Sequence, residues 1–254
     1  MVKIGHASSD ERGRYSGGTA GDQSGREVCI RDWYNRPWNV AVRPKKTAVA
    51  AGIVRNCVAA CGNECIGYDQ NQRTTLYTQA KNAGWNLKNI SEPCETDCSA
   101  LVAVCVNAAG VSVSKDIYTG NMVKALFQTG EFDVLTDNKY LESDTYLLAG
   151  DILVYEGHHT AMVLQDGSGS GHRKGWNYDL HGWWYHSGNG QYPAKRWENI
   201  GGYRYYFNSD GYAVTGWQEI GGKWYYFEPR AGHDLECAMY MTDRDGSQEP
   251  RKFL

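Results

Sequence analysis

Apolar positions recur along the chain with two periods, and the switch between them marks its organisation. Between residues 45 and 130 the spacing is helical. Thr47–Cys61 is apolar at three- and four-residue intervals and stops at Gly62-Asn63, and Thr74–Asn82 is a second, more polar helix ending at Gly84. Cys98–Ala109 is a third, ended by Gly110, and Asn121–Thr129 a fourth, ended by Gly130. Short strand-like runs lie on either side. Val2–Ala7, Glu27–Arg31 and Asn39–Arg43 precede the helices; Asp151–Tyr155 and Thr160–Leu164 follow them. The Gly/Ser/Asp-rich stretch 13–25 is a loop. The pattern predicts an α+β domain over residues 1–168, a helical layer on an antiparallel sheet.

Beyond the Gly/Ser-rich linker at 166–171 the pattern changes to a repeat of about 20 residues. Trp197-Glu198-Asn199-Ile200-Gly201-Gly202-Tyr203-Arg204-Tyr205-Tyr206-Phe207 matches Trp217-Gln218-Glu219-Ile220-Gly221-Gly222-Lys223-Trp224-Tyr225-Tyr226-Phe227, and a degenerate copy starts at Trp176. Each unit reads as a hairpin too small to bury its own aromatics, so the units of a second module, residues 169–254, must stack. The composition agrees, since six of the nine Trp lie after Gly175.

Charge narrows the function. A net charge of −3 gives no bulk attraction to nucleic acid or to an anionic membrane, and no run is long enough to span a bilayer. Met1–His6 lacks the apolar region of a secretory signal, so the chain is expected to be made in the cytoplasm without one. Eight cysteines show no zinc-type C-x2-C pair, which predicts no metal, and most read as reduced structural thiols. Cys57, Cys61 and Cys65 form one helical stripe; a Cys94–Cys98 bridge is the minority alternative.

One cysteine is placed for chemistry. Thr96-Asp97-Cys98-Ser99 leads into the third helix, with Thr96 read as its N-cap and Asp97 in the first turn. Free backbone N–H groups there favour a thiolate at Cys98. A thiolate needs a base, an orienting group and oxyanion donors. His159 opens a strand and is the better-fixed base; His158 lies in the loop beside it.

These stretches resemble the NlpC-type papain-like cell-wall peptidases: Thr96-Asp97-Cys98-Ser99, then Gly150-Asp151 before a strand, then His159-Thr160-Ala161-Met162-Val163, with Ile66-Gly67-Tyr68 upstream. The resemblance implies Cys98 as nucleophile, His159 as base, Tyr68 lining the site and aiding the oxyanion with the Cys98 N–H, and Asp97 and Ser99 shaping the pocket for the substrate amine. In that family the strand after the base carries the orienting residue. Here linker and repeats follow Leu164, so the partner strand is assigned to Val2–Ser8, a circular permutation that makes His6 the orienting residue; His172, Asp166 or a water are the alternatives. The aromatic turn at 33–38, with Trp33 and Trp38, lines the substrate groove or caps the sheet.

The repeats resemble the choline-binding type of wall repeat, through Gly216-Trp217, Lys223-Trp224-Tyr225-Tyr226-Phe227 and Asp210-Gly211-Tyr212. That resemblance implies aromatic cages for a quaternary ammonium or a sugar ring, with Trp197, Tyr205, Trp217, Trp224 and Tyr225 as candidates. The combined expectation is a peptidoglycan hydrolase of phage-endolysin type without a cofactor. It would cut an amide of the wall peptide, with the γ-D-glutamyl-diamino acid bond preferred, at the bacterial cell wall. An N-acetylmuramoyl-L-alanine amidase, a permuted papain-like acyltransferase and a non-catalytic wall-binding protein are the rivals.

Overall fold

The computed structural model describes residues 1–169, 171–188, 190–242 and 248–250. Its chain divides into two compact units, residues 1–171 and 172–254. In the first, apolar helices bury themselves against a sheet of alternating strands. Helix α1, Thr47–Cys61, is buried along most of its length, from Val49 to Ala60, and α2 is Thr75–Asn82. Helix α3, Cys98–Ala108, is the most enclosed, with every residue from Cys98 to Val106 buried. Helices α1 and α3 pack closely: a Cβ on Gly52 would stand 2.6 Å from that of Ala109. Helix α4, Met122–Gln128, a single turn, α5, Asn138–Leu141, and a short 3-10 helix, Leu87–Asn89, are the other helical segments among the described residues.

Asp97, not Thr96, caps α3. Its Oδ1 accepts from the Ala100 N–H at 2.7 Å and from Ser99 Oγ at 2.8 Å. Thr96 is unavailable because it ends a strand and donates its hydroxyl to the Asp97 carbonyl.

Eight strands belong to this unit. They are β1 Lys3–Ala7, β2 Val28–Asp32, β3 Val40–Pro44, β4 Ile66–Tyr68, β5 Cys94–Thr96, β6 Phe132–Leu135, β7 Ile152–Tyr155 and β8 His159–Val163. Six form one sheet in the order β2-β1-β8-β7-β3-β6, with every pairing antiparallel. Strands β4 and β5 form a separate parallel pair, with Tyr68 opposite Thr96. The expected contact between the first strand and the histidine strand is present. Ile4 pairs with Val163 and Gly5 with Met162, and Leu164 N–H donates to the Lys3 carbonyl at 2.8 Å. Only glycine fits at residue 5, because a Cβ would stand 2.3 Å from Cys57 Sγ of the cysteine stripe on α1. All eight cysteines, Cys94 and Cys98 included, are free.

The Gly150-Asp151 pair has a structural use. Asp151 is fully buried and accepts from Arg43 Nε at 2.8 Å and Nη2 at 2.6 Å, and from the Leu148 N–H at 2.9 Å. This two-pronged pair ties β3 to the turn before β7.

The second unit is a series of two-stranded hairpins: β9 Gly175–Asp179 with β10 Gly182–His186, β11 Arg196–Ile200 with β12 Tyr203–Phe207, and β13 Gly216–Ile220 with β14 Lys223–Phe227. Strands β15, Tyr240–Thr242, and β16, Gln248–Pro250, pair beyond them. One ring geometry recurs. Trp176 packs on Tyr205 and Phe207 at 4.8 and 5.9 Å, and Trp197 packs on Tyr225 and Phe227 at 4.9 and 5.8 Å. The first two hairpins thus each lend a tryptophan to the next, whereas Trp217 packs on Tyr226 of its own hairpin.

Removing one partner of the Arg43–Asp151 pair leaves a buried charge uncompensated. Asp151→Ala is therefore expected to cost about 3–5 kcal/mol, read as a lower midpoint in urea unfolding.

Candidate active site

Cys98 is the first residue of α3 and only 8 % exposed. The backbone N–H groups of Thr160 and Ser99 both bond to its sulfur and favour the thiolate. Burial outweighs them: it pushes the thiol up to about 12, and the neighbouring Asp97 carboxylate adds to the rise. The helix start was expected to lower this thiol. The capping carboxylate and the lack of water reverse that expectation, so the resting sulfur carries its proton at neutral pH.

Thr160 follows His159 on β8, so the strand whose N–H reaches Cys98 Sγ also bears the candidate base. His159 is 6 % exposed and His6 2 %. The structure brings these two together: His6 Nδ1 lies 3.1 Å from His159 Nε2, the rings meeting edge to face. His159 Nδ1 takes no part in that bond. His6 Nε2 is buried without a hydrogen-bond partner among the described residues. Burial is the main reason both imidazoles are held far below their usual range, His6 at about 4 and His159 at about 3, and the positive charges of Arg31 and Arg36 push the same way. Of the alternative orienting groups, Asp166 accepts from the Ala149 N–H at 2.8 Å, and His172 packs against Trp184 and His186 in the second unit.

Tyr68 ends β4 with its side chain buried. Its hydroxyl accepts from Gln70 Nε2 at 3.1 Å. Burial raises its ionisation, with the Cys98 sulfur close enough to contribute. The Tyr68 N–H donates to Glu27 Oε2 at 3.0 Å. Glu27 sits beside Glu95, whose burial pushes it up to about 8, and Glu95 Oε1 accepts from the Gly21 N–H. Two buried carboxyl groups thereby fasten the loop before β2 to the strands that carry Tyr68 and lead to Cys98.

Asp97 and Ser99 face inward rather than into an open pocket. Their polar atoms are taken up by the helix cap, and Asp97 Oδ2 also lies 3.2 Å from Arg73 Nε. Trp38 is buried and stacks on His159, centroids 6.1 Å apart, while Trp33 packs beside Tyr34 against the cluster of Val2, Ile4, Ala161 and Val163. Trp33 covers the sheet, and Trp38 lines an open groove with Asn35 and Arg36. The sequence reading did not single out Gln70, Arg73, Arg31 or Arg36. The basic residues within and before the aromatic turn were the available signal for the last two.

The repeat candidates separate by exposure. Trp217 and Trp224 are 62 % and 64 % exposed on hairpin β13–β14. Tyr205 is 5 % exposed and belongs to the buried core of the stack, so its ring serves packing. Trp197 and Tyr225 are half-buried against each other, and the Arg204 guanidinium lies over the Trp197 ring at 4.4 Å, a cation already seated on that face.

The family model of the endolysin-like domain matches residues 4–170, and the chain belongs to that family. A choline-binding repeat model matches residues 194–234. No curated protein matches the chain. Solved structures similar to it include the modular Cpl-1 endolysin complexed with a peptidoglycan analogue, at 32 % identity over 36 % of this chain and 30 % of that one (TM-score 0.23). The pneumococcal cell wall endolysin from phage Cp-1 complexed with choline gives the same identity and coverage (TM-score 0.24). Choline binding protein F from Streptococcus pneumoniae, in the presence of a peptidoglycan analogue, is 24 % identical over 34 % and 31 % (TM-score 0.25). The chain spans about a third of the length of these structures.

The depressed imidazoles give a signed pH dependence. Both histidines are neutral in the fold near pH 5, whereas in the unfolded chain they bind protons below about 6.5. Their contribution is present above pH 6.5 and is lost as the pH falls toward 4. Glu95 titrates in the opposite sense, so a variant isolates the histidines. A His6→Gln/His159→Gln double variant should lose less Tm than the wild type between pH 7 and 4.5 in thermal scans.

Proposed function

We propose that this chain is a peptidoglycan hydrolase that cuts an amide bond of the wall peptide with Cys98 and is held at the wall by its choline-binding repeats. The observation that carries the reading is the 3.1 Å bond between His6 Nδ1 and His159 Nε2, on the strand whose next N–H reaches Cys98 Sγ. It leaves His159 Nδ1 as the nitrogen for the thiol, with His6 fixing the ring's tautomer and orientation. His159 Nε2 then donates to His6 Nδ1, and its Nδ1 keeps a lone pair.

The resting pair is a neutral thiol and a neutral imidazole, so proton transfer accompanies attack. His159 takes the Cys98 proton as the sulfur adds to the amide carbon. The Cys98 N–H and the Tyr68 hydroxyl are the donors for the resulting oxyanion. His159 returns the proton to the leaving amine, and water hydrolyses the thioester by the reverse sequence. The γ-D-glutamyl-diamino acid bond is the preferred target. The architecture supports a papain-like domain of NlpC type in which the strand with the orienting residue precedes the catalytic helix instead of following the base. In the repeats, exposed Trp217 and Trp224 are the surfaces offered to a quaternary ammonium, so that weak repeated binding concentrates the enzyme on choline-bearing wall.

Choline-decorated cell walls treated with the protein should release new amino groups and no new reducing ends. Cys98→Ala should abolish the release. His6→Ala should lower turnover by at least about 100-fold with an unchanged circular dichroism spectrum. Walls cut at a normal rate by Cys98→Ala would refute the cysteine mechanism. Free choline should elute the protein from the walls, and Trp217→Ala/Trp224→Ala should bind them more weakly.

A further inference from the structure

The groove beside His159 carries a charge that the mechanism does not use. Asn35, Arg36, Pro37 and Trp38 line it together with Asn138, Leu141 and Glu142, over a volume of about 660 Å³. Trp38 is the shared wall: one of its neighbours is the groove and another is the His159 ring, on which it stacks. Arg36 is half-buried. Its Nη1 lies 3.4 Å from the Tyr34 hydroxyl and its guanidinium carbon 6.0 Å from the Tyr155 ring. Arg31 approaches the same Tyr34 at 4.4 Å, and Tyr34 in turn neighbours His6, 6.3 Å between ring centroids. Two guanidinium groups therefore flank one tyrosine at the edge of the histidine pair.

Neither makes an ion pair with a carboxylate among the described residues, although the Arg31 charge is felt by its neighbour Asp32. Glu142, the acidic residue in the groove, instead accepts from Asn138 Nδ2 at 2.8 Å. A half-buried arginine aimed at a groove and left without a carboxylate has a donor fork suited to a bidentate anion.

Resting on the amide-hydrolase reading of the same site, we propose that Arg36, backed by Arg31, receives a carboxylate of the wall peptide in the Asn35–Trp38 groove. The enzyme thereby selects substrates that carry a free carboxylate near the scissile bond over those in which it is amidated. The choice has a consequence for chemistry. Burial is the main reason both histidines stay neutral, and the arginine charges reach them and add to it. A bound carboxylate would cancel that field and make His159 a stronger base when the substrate is in place. An amidated substrate would bind through the same groove but leave the field intact, so the selection acts on kcat as well as on binding. Arg36 is thus a specificity residue that also acts on the base through its charge.

The test uses soluble muropeptides from choline-decorated walls, native or with their free carboxylates converted to carboxamides by carbodiimide and ammonia. Binding is read by calorimetry on the full chain carrying Cys98→Ala. The native peptides should bind at least about tenfold more tightly than the amidated ones, and adding Arg36→Gln should bring the two affinities together. Turnover by the otherwise wild-type enzyme should show the same preference, and Arg36→Gln should reduce it to near parity and raise the pH at which His159 titrates. Equal affinity of Cys98→Ala for both peptide forms would overturn the proposal, as would an Arg36→Gln defect of the same size on both. These outcomes are separate from the cysteine mechanism, which fails if Cys98→Ala itself cuts the native peptides.

Discussion

A short ladder holds the candidate site together. Strand β1 lies between β2 and β8, and its pairing with β8 spans Ile4–Gly5 and Met162–Val163, extended by the Leu164–Lys3 hydrogen bond. Everything chemical in the first unit depends on that contact across more than 150 residues of sequence. It sets His6 against His159, closes the sheet over α1, and requires glycine at residue 5 because the α1 thiols press on the strand. A register shift of one residue would turn His6 to the other face of the sheet and break the pair.

The site built on this ladder is dry. Thiol, both imidazoles and the tyrosine hydroxyl are all driven toward their neutral forms, mainly by loss of water. Arg31 and Arg36, which form no ion pair among the described residues, stand at its rim. Positive charge beside a low-dielectric interior perturbs the groups in it, a pattern that clusters at functional sites.

Much of this was legible from residue pattern. Helical periodicity located α1 with the same bounds and α2 to α4 within a residue or two, because each is a run of helical period stopped by glycine, apolar in α1 and α3 and more polar in α2. The strand pairing of residues 2–8 with 160–164 could be argued because a buried apolar strand needs neighbours and the following linker offers none. Strands β4, β5 and β6 and the turn α5 were not foreseen. At three or four residues they are too short to show a period, and Ile66–Tyr68 and Cys94–Thr96 hold together only through parallel pairing with each other. The cap was misplaced by one residue, since Thr96 and Asp97 are both good caps and only the ladder decides which is free. Cys98 was expected to be acidic because sequence reveals a helix start but not the depth of burial that overrides it. Tyr205 looked the same as Trp217 in the repeat alignment, yet stacking buries one ring and leaves the other in solvent.

The protonated sulfur also bears on the chemical lifetime of Cys98 itself. Peroxide and alkylating reagents attack thiolates far faster than thiols, and reach buried groups slowly. Under the proposed mechanism Cys98 ionises only during attack, which would shield it from irreversible oxidation between substrates. Burial and the adjacent Asp97, which keep the thiol protonated, therefore slow its oxidation.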